Sequence, residues 1–394
     1  MTDSKPHTAP DRPRVAIVGA GVNGLGIAWR LAQAGCPVTV FEAGAAGRGA
    51  SWAAAGMLAA AAEAEPGESD LVALGRQSQT LWPDFAEDLR AASGLDPAYR
   101  DEGLLIAALT RDEAEKLRFD HDFLRARGLP VSWLSAAELR QREPHLSRHV
   151  VAGLSSPEDH QVDNRRLVTA LHRAAVAAGA TVREHTPVTA IETAAGRASG
   201  LVAGGESHAA DVVVLAAGAW SRDLPGLPEA VRPPVRPIKG QMLALRMDPS
   251  APLLRHVLWA PTAYLVPRRD GRLIVGGTVE ERGFDETLTA GGVYALLEAA
   301  WRAIPAIEEL PIDEFWVGFR PGSRDDAPIL GPSELDGLWL ATGHHRNGIL
   351  LAPLTAAAVS AAILGRPPVA DLSPFAPARF TAGAATPDPP ARTA

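Results

Sequence analysis

Residues 14–44 read RVAIVGAGVNGLGIAWRLAQAGCPVTVFEAG. Val15, Ala16, Ile17 and Val18 form a short unbroken apolar run, the composition a strand needs when both of its faces are covered. Gly19, Gly21 and Gly24 follow at GxGxxG spacing. The first permits a tight turn, the second lets backbone approach a pyrophosphate, and the third allows a helix to pack close on the strand. The start of that helix offers free N–H groups and a partial positive charge to phosphate oxygens. Gly35 ends the helix, and PVTVFE supplies a second strand closing on Glu42, where a carboxylate can accept from a ribose. A bare GxGxxG says little. Strand, turn, helix, second strand and terminal acid in one unit predict a site for a ligand built on adenosine diphosphate.

Beyond Glu42, residues 43–65 (AGAAGRGASWAAAGMLAAAAEAE) are too rich in small side chains for an ordinary connection, and suit backbone lying against a flat ligand. Two later segments, ADVVVLAAGAWS (210–221) and GLWLATGHHRNG (337–348), are again buried strands running into small residues. The nucleotide domain is therefore expected to be discontinuous, from residues 14–90, 151–225 and 322–380. After Gly348 an apolar stretch reads as a helix with Pro353 in its first turn and Gly365 at its end. Residues 91–150 and 226–321 have another character. EGLLIAAL (102–109) reads as a strand and RDEAEKLRFDHDFLRARG (111–128) as an amphipathic helix, while GQMLAL, AYLVPR and GRLIVGG are strand candidates separated by turn residues. They predict one mostly antiparallel sheet. A pocket is expected at the junction of the two domains, with walls from Val279, Glu280 and RPPVRPIKG.

The chain has 394 residues, enough to bury a large ligand. Its 38 lysines and arginines against 46 acids give a net charge of −8, the wrong sign for a nucleic-acid footprint. No signal-like segment and no run of roughly 18 apolar residues is found, which predicts a cytoplasmic protein without stable membrane insertion. Cys36 is the sole cysteine, so no intramolecular disulfide and no cysteine-rich metal site is expected. His344 and His345 are adjacent and point apart, so no metal is expected there either. The ends, 1–13 and 381–394, lack large apolar residues and are expected to be mobile.

Five blocks carry a resemblance: VAIVGAGVNGLGIAWRLA, ASWAAAGML, AYLVPRRDGRLIVGGT, GFRPGSRDDAPILG and GHHRNGILLAP. Together they resemble the FAD-dependent amino-acid and amine oxidases of the D-amino-acid oxidase family, most closely its glycine oxidase branch, over about residues 14–380. The resemblance implies an α/β fold, with a discontinuous Rossmann-like FAD-binding domain and a mostly antiparallel-sheet substrate domain roofing the flavin. It places cofactor contacts on Gly19, Gly21, Val22, Asn23, Gly24, Glu42, Ala43, Ala50, Ser51, Ala55, Gly56 and Met57, with Val188 at the adenine. His344, His345, Arg346, Asn347, Gly348, Ile349 and Leu350 would border the isoalloxazine ring. Capping or surface roles are the alternative for the two histidines. Non-covalent FAD is expected, because Cys36 follows the first helix, away from the ring.

For the substrate, the resemblance makes Arg320 the main clamp of a carboxylate, whose geometry a guanidinium matches with paired donors. A surface ion pair to Asp325 or Asp326 is the alternative. Arg346 would be a second cation beside the same carboxylate, or else serve backbone carbonyls. The Tyr264 hydroxyl would donate from the roof, unless it only packs. The implied reaction is oxidative deamination of glycine and related small amines, such as sarcosine and small D-amino acids. Hydride passes from the α-carbon to the flavin, water hydrolyses the imine to a 2-oxo acid, and oxygen becomes hydrogen peroxide. No side chain need act as acid or base. Glycine oxidases of this type are associated with thiamin thiazole synthesis. The alternatives are a D-amino-acid dehydrogenase or broader oxidase using another electron acceptor, and a nucleotide-binding module without catalysis. A homo-oligomer is left open.

Overall fold

The computed structural model describes residues 12–380. The mobility expected of the two tails lies outside the described residues, apart from Arg12 and Pro13.

The first strand, Val15–Val18, is buried along its whole length and leads through Gly19 into the helix Val22–Gln33. The helix ends where predicted: Gly35 takes φ +84°, a conformation that glycine adopts at little cost. Val38–Phe41 follows in parallel beside the first strand. They are central strands of a six-stranded sheet whose order is Ile329–Pro332, Leu338–Thr342, Val212–Leu215, Val15–Val18, Val38–Phe41, Thr181–Arg183. All its pairs are parallel except the edge strand Ile329–Pro332. Segments far apart in sequence thus meet in one sheet, as the repeated buried strands require. The helices Val22–Gln33 and Ala352–Ile363 pack so closely that a Cβ on Gly26 would lie 3.1 Å from the Ala356 methyl.

An eight-stranded sheet forms the second layer. Its order is Ile312–Ser323, Val235–Arg246, Arg272–Gly276, Ala263–Pro267, Val257–Ala260, Leu104–Ala108, Ala152–Ser156, Ser132–Ser135. Only Val257–Ala260 with Leu104–Ala108 is parallel, so the sheet is mostly antiparallel. Ala152–Ser156 differs from the division read from sequence, which put residues 151–225 on the nucleotide side. Its five residues, four of them small and the fifth Leu154, are buried, and all five pair with Leu104–Ala108. The amphipathic helix is Arg111–Ala126, opened by a capping box of Thr110 and Glu113, a feature that contributes about 1 kcal/mol.

The two layers are joined at the small-residue segment. Trp316 Nε1 donates to the Ala53 carbonyl at 2.9 Å, and a Cβ on Gly318 would lie 2.3 Å from the Ala53 methyl. Arg165 bridges from the helix Asn164–Ala177, pairing with Glu314 at 2.7 Å while its guanidinium lies 3.6 Å over the Trp52 ring. Among the described residues no helix is long and apolar enough to cross a membrane, and no group of three or more metal-ligating side chains is found.

Candidate active site

The glycine turn is a close-packed cradle. A Cβ on Gly24 would lie 2.0 Å from the Gly19 carbonyl, and one on Gly19 would lie 2.5 Å from the Ala216 carbonyl. Gly19 also has φ +102°. Ser51 Oγ accepts from the Val22 N–H at 3.0 Å, so the small-residue segment touches the start of the first helix. That helix has no side-chain cap and no acid in its first turn, which leaves its positive end for an anion. The Glu42 carboxylate accepts from the N–H groups of Ala20 at 2.8 Å and Gly44 at 3.0 Å, and is held at the edge of the same turn. Asn23 stands between the turn and Gly348, and its side-chain oxygen is buried without a hydrogen-bond partner. A buried acceptor left open costs free energy unless a ligand donor meets it. The hydroxyls of a ribityl chain are such donors, so the residues present fit a flavin dinucleotide.

Residues 51–57 are held from below by two side chains that the sequence did not single out. Asn164 donates to the carbonyls of Ser51 and Trp52 at 2.8 and 2.9 Å. Arg268, fully enclosed, donates to the carbonyls of Ala55 at 2.6 Å and Val162 at 2.8 Å, and to the side chains of Gln161 and Asn164 at 3.0 Å each. Burial lowers its pKa to about 10, with Asp163 opposing, so it stays cationic at neutral pH. Gly56 above it has φ +70° and no room for a Cβ, which would fall 2.0 Å from the Val162 carbonyl. Met57 pairs with Gln161 in a short ladder. Val188 belongs to the apolar cluster that contains Val18, Phe41 and Leu215.

At the other side of the cradle, His344 is buried and its Nε2 lies 3.2 Å from the Thr355 hydroxyl, inside the last helix. Burial depresses its pKa to about 3, so the imidazole is neutral. Its side chain is thus neither at the surface nor a cap of that helix, but is held against it by Thr355. His345 adopts φ +47° and its Nδ1 lies 3.5 Å from Asp326. Asn347, Ile349 and Leu350 are buried, and the Leu350 carbonyl accepts from Ser78 and from Trp82 Nε1 at 2.7 and 2.9 Å. An isolated bridge between Gly322 and His344 joins this loop to the end of the strand that carries Arg320.

Arg320 and Tyr264 converge. The guanidinium Nη1 donates to the Thr278 carbonyl at 3.0 Å. A Cβ on Gly277 would lie 3.0 Å from Arg320 Nη2 and 3.1 Å from the Tyr264 hydroxyl, so both polar groups flank that glycine. Burial raises the Tyr264 phenol above its ordinary value, which keeps it a donor at neutral pH. Asp325 is taken by Arg379 at 2.8 Å, and that pairing, not Arg320, is the surface bridge here.

Arg346 is placed differently from the second clamp expected of it. Its guanidinium lies 3.0 Å from Glu63, 3.4 Å from Glu65 and 2.8 Å from Glu68, and donates to the Glu63 carbonyl at 3.1 Å. Burial works to lower its pKa, but Glu63, Glu68, Glu65 and Asp326 more than reverse this. Glu63 was hidden in a run of alanines. Its segment is pinned by Asp159, which accepts from the N–H groups of Ala61 and Ala62 at 3.0 and 2.7 Å.

Cys36 lies in the core beside the first helix, and burial raises its thiol pKa, away from the nucleophilic thiolate. FAD is expected to be held without a bond to it. Acid precipitation should leave the yellow colour in the supernatant, and colour retained in the pellet would reject this.

The profile of the FAD dependent oxidoreductase family matches residues 14–362. The glycine oxidase of Geobacillus kaustophilus is 40% identical over 366 residues, covering 92% of this chain and 95% of that protein. A crystal structure of glycine oxidase from Geobacillus kaustophilus superposes with a TM-score of 0.87 at 39% identity, over 93% of this chain and 98% of that one. The bifunctional protein ThiO/ThiG of Synechocystis is 39% identical over 371 residues; the alignment covers 93% of this chain but 54% of that protein, about half its length. With the dinucleotide cradle and the paired donors of the roof in place, the chain belongs to the FAD dependent oxidoreductase family and is an FAD-using enzyme.

Proposed function

We propose that this enzyme oxidises glycine and related small amines, sarcosine and small D-amino acids among them, and passes the electrons to oxygen. The observation that carries this reading is the convergence of Arg320 and Tyr264 on Gly277, with the end of the Arg320 strand bridged to the loop 344–350 at His344. A planar guanidinium anchored on one side by the Thr278 carbonyl keeps its remaining N–H groups for a carboxylate. Tyr264, protonated at neutral pH, adds one donor to the same anion. The wall behind them is dense: a Cβ on Gly276 would lie 2.4 Å from the Met242 methyl and 2.6 Å from the Tyr264 ring. Such a wall favours a small substrate, and the similarity to named glycine oxidases supports the same choice.

FAD supplies the chemistry of taking two electrons and hydrogen from the α-carbon and delivering them to oxygen. The chain's own residues bind and orient. Arg320 and Tyr264 fix the carboxylate, which sets where the α-carbon stands. The neutral His344 adds no charge beneath the loop 344–350. For glycine the overall change consumes one oxygen and one water and yields the 2-oxo acid, ammonia and hydrogen peroxide. The imine formed before hydrolysis is the material for thiamin thiazole, a role in keeping with the similarity to ThiO/ThiG proteins.

A coupled peroxide assay over glycine, sarcosine, small and large D-amino acids and L-amino acids tests the reading. Peroxide from glycine and sarcosine is expected. Preference for a large D-amino acid would move the enzyme to a general D-amino-acid oxidase, and flavin reduction without oxygen uptake to a dehydrogenase. Within the site, Tyr264→Phe should weaken substrate use by about 1 kcal/mol, one hydrogen bond's worth, seen as a roughly fivefold fall in kcat/KM. An unchanged kcat/KM would leave Tyr264 with packing alone.

A further inference from the structure

Thr278 stands between the Arg320 clamp and a polar network on the opposite face of the roof. Gly240 faces the guanidinium, since a Cβ there would lie 2.5 Å from Arg320 Nη1. Its neighbours Lys239 and Gln241 therefore point to the other face, where both are buried. Lys239 Nζ donates to Asp285 at 2.8 Å and to the Thr287 carbonyl at 2.6 Å. The Gln241 side-chain amide donates to Glu280 at 2.8 Å and to the Thr289 hydroxyl at 3.0 Å. These bonds tie residues 280–289 to the strand Val235–Arg246.

Pairing along that strand is irregular at one place. From Leu243 opposite Val275 to Lys239 opposite Glu280, the first strand runs through four residues and the second through five, which is a bulge. Beyond it Lys239 and Glu280 exchange both of their backbone hydrogen bonds at 3.0 Å. Regular antiparallel pairing would have Gln241 and Thr278 do the same. One of their bonds is made, from the Thr278 N–H to the Gln241 carbonyl at 3.2 Å. The other is replaced: the Gln241 N–H donates to the Thr278 hydroxyl at 2.8 Å, and the Thr278 carbonyl accepts from Arg320 Nη1 at 3.0 Å. The hydroxyl donates its own hydrogen to Glu280 at 2.6 Å. Burial works against the charge of Glu280, but Thr278, Gln241, Lys239 and Arg282 more than reverse this, so it remains an acceptor at neutral pH.

We propose that Thr278 is a positioning residue for the carboxylate clamp: its hydroxyl, oriented by Glu280, satisfies the Gln241 N–H in place of its own carbonyl, and so releases that carbonyl to hold the Arg320 guanidinium toward Tyr264. This rests on the reading of Arg320 as the clamp for a substrate carboxylate. A buried N–H without an acceptor is costly, so in the absence of the hydroxyl the Gln241 N–H takes the carbonyl of the same residue. The guanidinium then loses its anchor. A fork free to turn in its slot must be ordered when the carboxylate binds, which weakens binding. The chemical step is little changed, because Thr278 touches neither the reacting carbon nor the cradle.

The test uses the FAD-loaded enzyme with glycine. Thr278→Val, which keeps the shape and removes the hydroxyl, should raise KM about fivefold, one hydrogen bond's worth, with kcat within about twofold of the parent. Thr278→Ser, which keeps the hydroxyl, should lie near the parent. Thr278→Ala removes the hydroxyl without a branched side chain and carries the test should valine impair folding. Combination with Arg320→Ala separates positioning from a general loosening of the roof. A residue that acts only through the guanidinium adds nothing to the fall in kcat/KM that Arg320→Ala causes, whereas loosening lowers it again. A parent KM in both variants that lack the hydroxyl, a serine variant as impaired as valine, or a further fall in the double variant overturns the proposal. A crystal structure of FAD-loaded Thr278→Val reads the arrangement without substrate. The Gln241 N–H should turn to the carbonyl of residue 278 and Arg320 should leave it; an Arg320 that keeps this bond overturns the proposal. If Arg320→Ala keeps the parent KM, the clamp reading fails, whereas the crystal structure still decides whether Thr278 positions the guanidinium.

Discussion

Replacing Arg268 by methionine is expected to destabilise the fold by about 3–5 kcal/mol and to weaken its hold on FAD, the penalty typical of breaking a buried charged network. Methionine has nearly the length of arginine but none of its donors. Four acceptors would lose their partner: the carbonyls of Ala55 and Val162 and the side chains of Gln161 and Asn164. A buried acceptor left open costs about 1–3 kcal/mol, and the four losses overlap because the same segment relaxes for all of them. That segment is Ser51–Met57, where the resemblance places cofactor contacts. Its backbone includes Gly56 at φ +70°, wedged against Val162. With Arg268 gone, nothing of comparable strength ties Ala55 to Val162 through one planar group. Arg268→Lys should recover only part, since an ammonium cannot span both carbonyls and both side chains. Urea unfolding measures the first effect, and flavin fluorescence released below the unfolding temperature measures the second. A methionine variant within about 1 kcal/mol of the parent, with its full FAD, would show that Asn164 and Trp316 hold the segment without Arg268.

Arg268 also marks where the sequence stops being readable. It ends the strand candidate AYLVPR and is followed by Arg269; one arginine is enclosed and the other exposed. Nothing local separates them, because the acceptors that draw Arg268 inward come from residues 55 and 161–164. Glu63 is the same case. In AAAAEAE it looks like part of a flexible loop, and its burial follows from Asp159 and Arg346, both distant in sequence. What was legible rests on local chemistry. Gly19 and Gly24 are glycine because backbone atoms stand where a side chain would go, and Val15–Val18 is wholly apolar because it is covered on both faces. Ala152–Ser156 gave no such sign: four small residues around Leu154, without alternation, acquire their place by pairing with Leu104–Ala108 on one side and Ser132–Ser135 on the other. For Arg346 the neighbourhood was legible and the partners were not, since a guanidinium suits a substrate carboxylate and a glutamate equally well.

Arg320→Ala is expected to lower kcat/KM for glycine by tenfold to about two-hundredfold, the equivalent of roughly 1.5–3 kcal/mol for hydrogen bonds to a charged group. FAD should remain bound, because the Arg320 guanidinium is tied to the Thr278 carbonyl and faces Tyr264, and neither belongs to the cradle. The loss should fall on KM first, as a clamp on the carboxylate would act in the ground state and the transition state alike. The channel around the guanidinium explains why lysine is a poor substitute. Gly240 and Gly277 flank it so closely that a Cβ on either would lie 2.5 and 3.0 Å from its nitrogens. That slot fits a flat group. An ammonium would sit in it with one or two donors and no paired fork, so Arg320→Lys should regain about half of the lost free energy. Gly240→Ala supplies an independent check: it leaves every charge in place and displaces the guanidinium, so it should raise KM in the same direction while absorbance shows FAD retained. If Arg320→Ala keeps the parent KM and kcat, Arg320 does not bind the substrate, and its role is confined to the turn at Thr278.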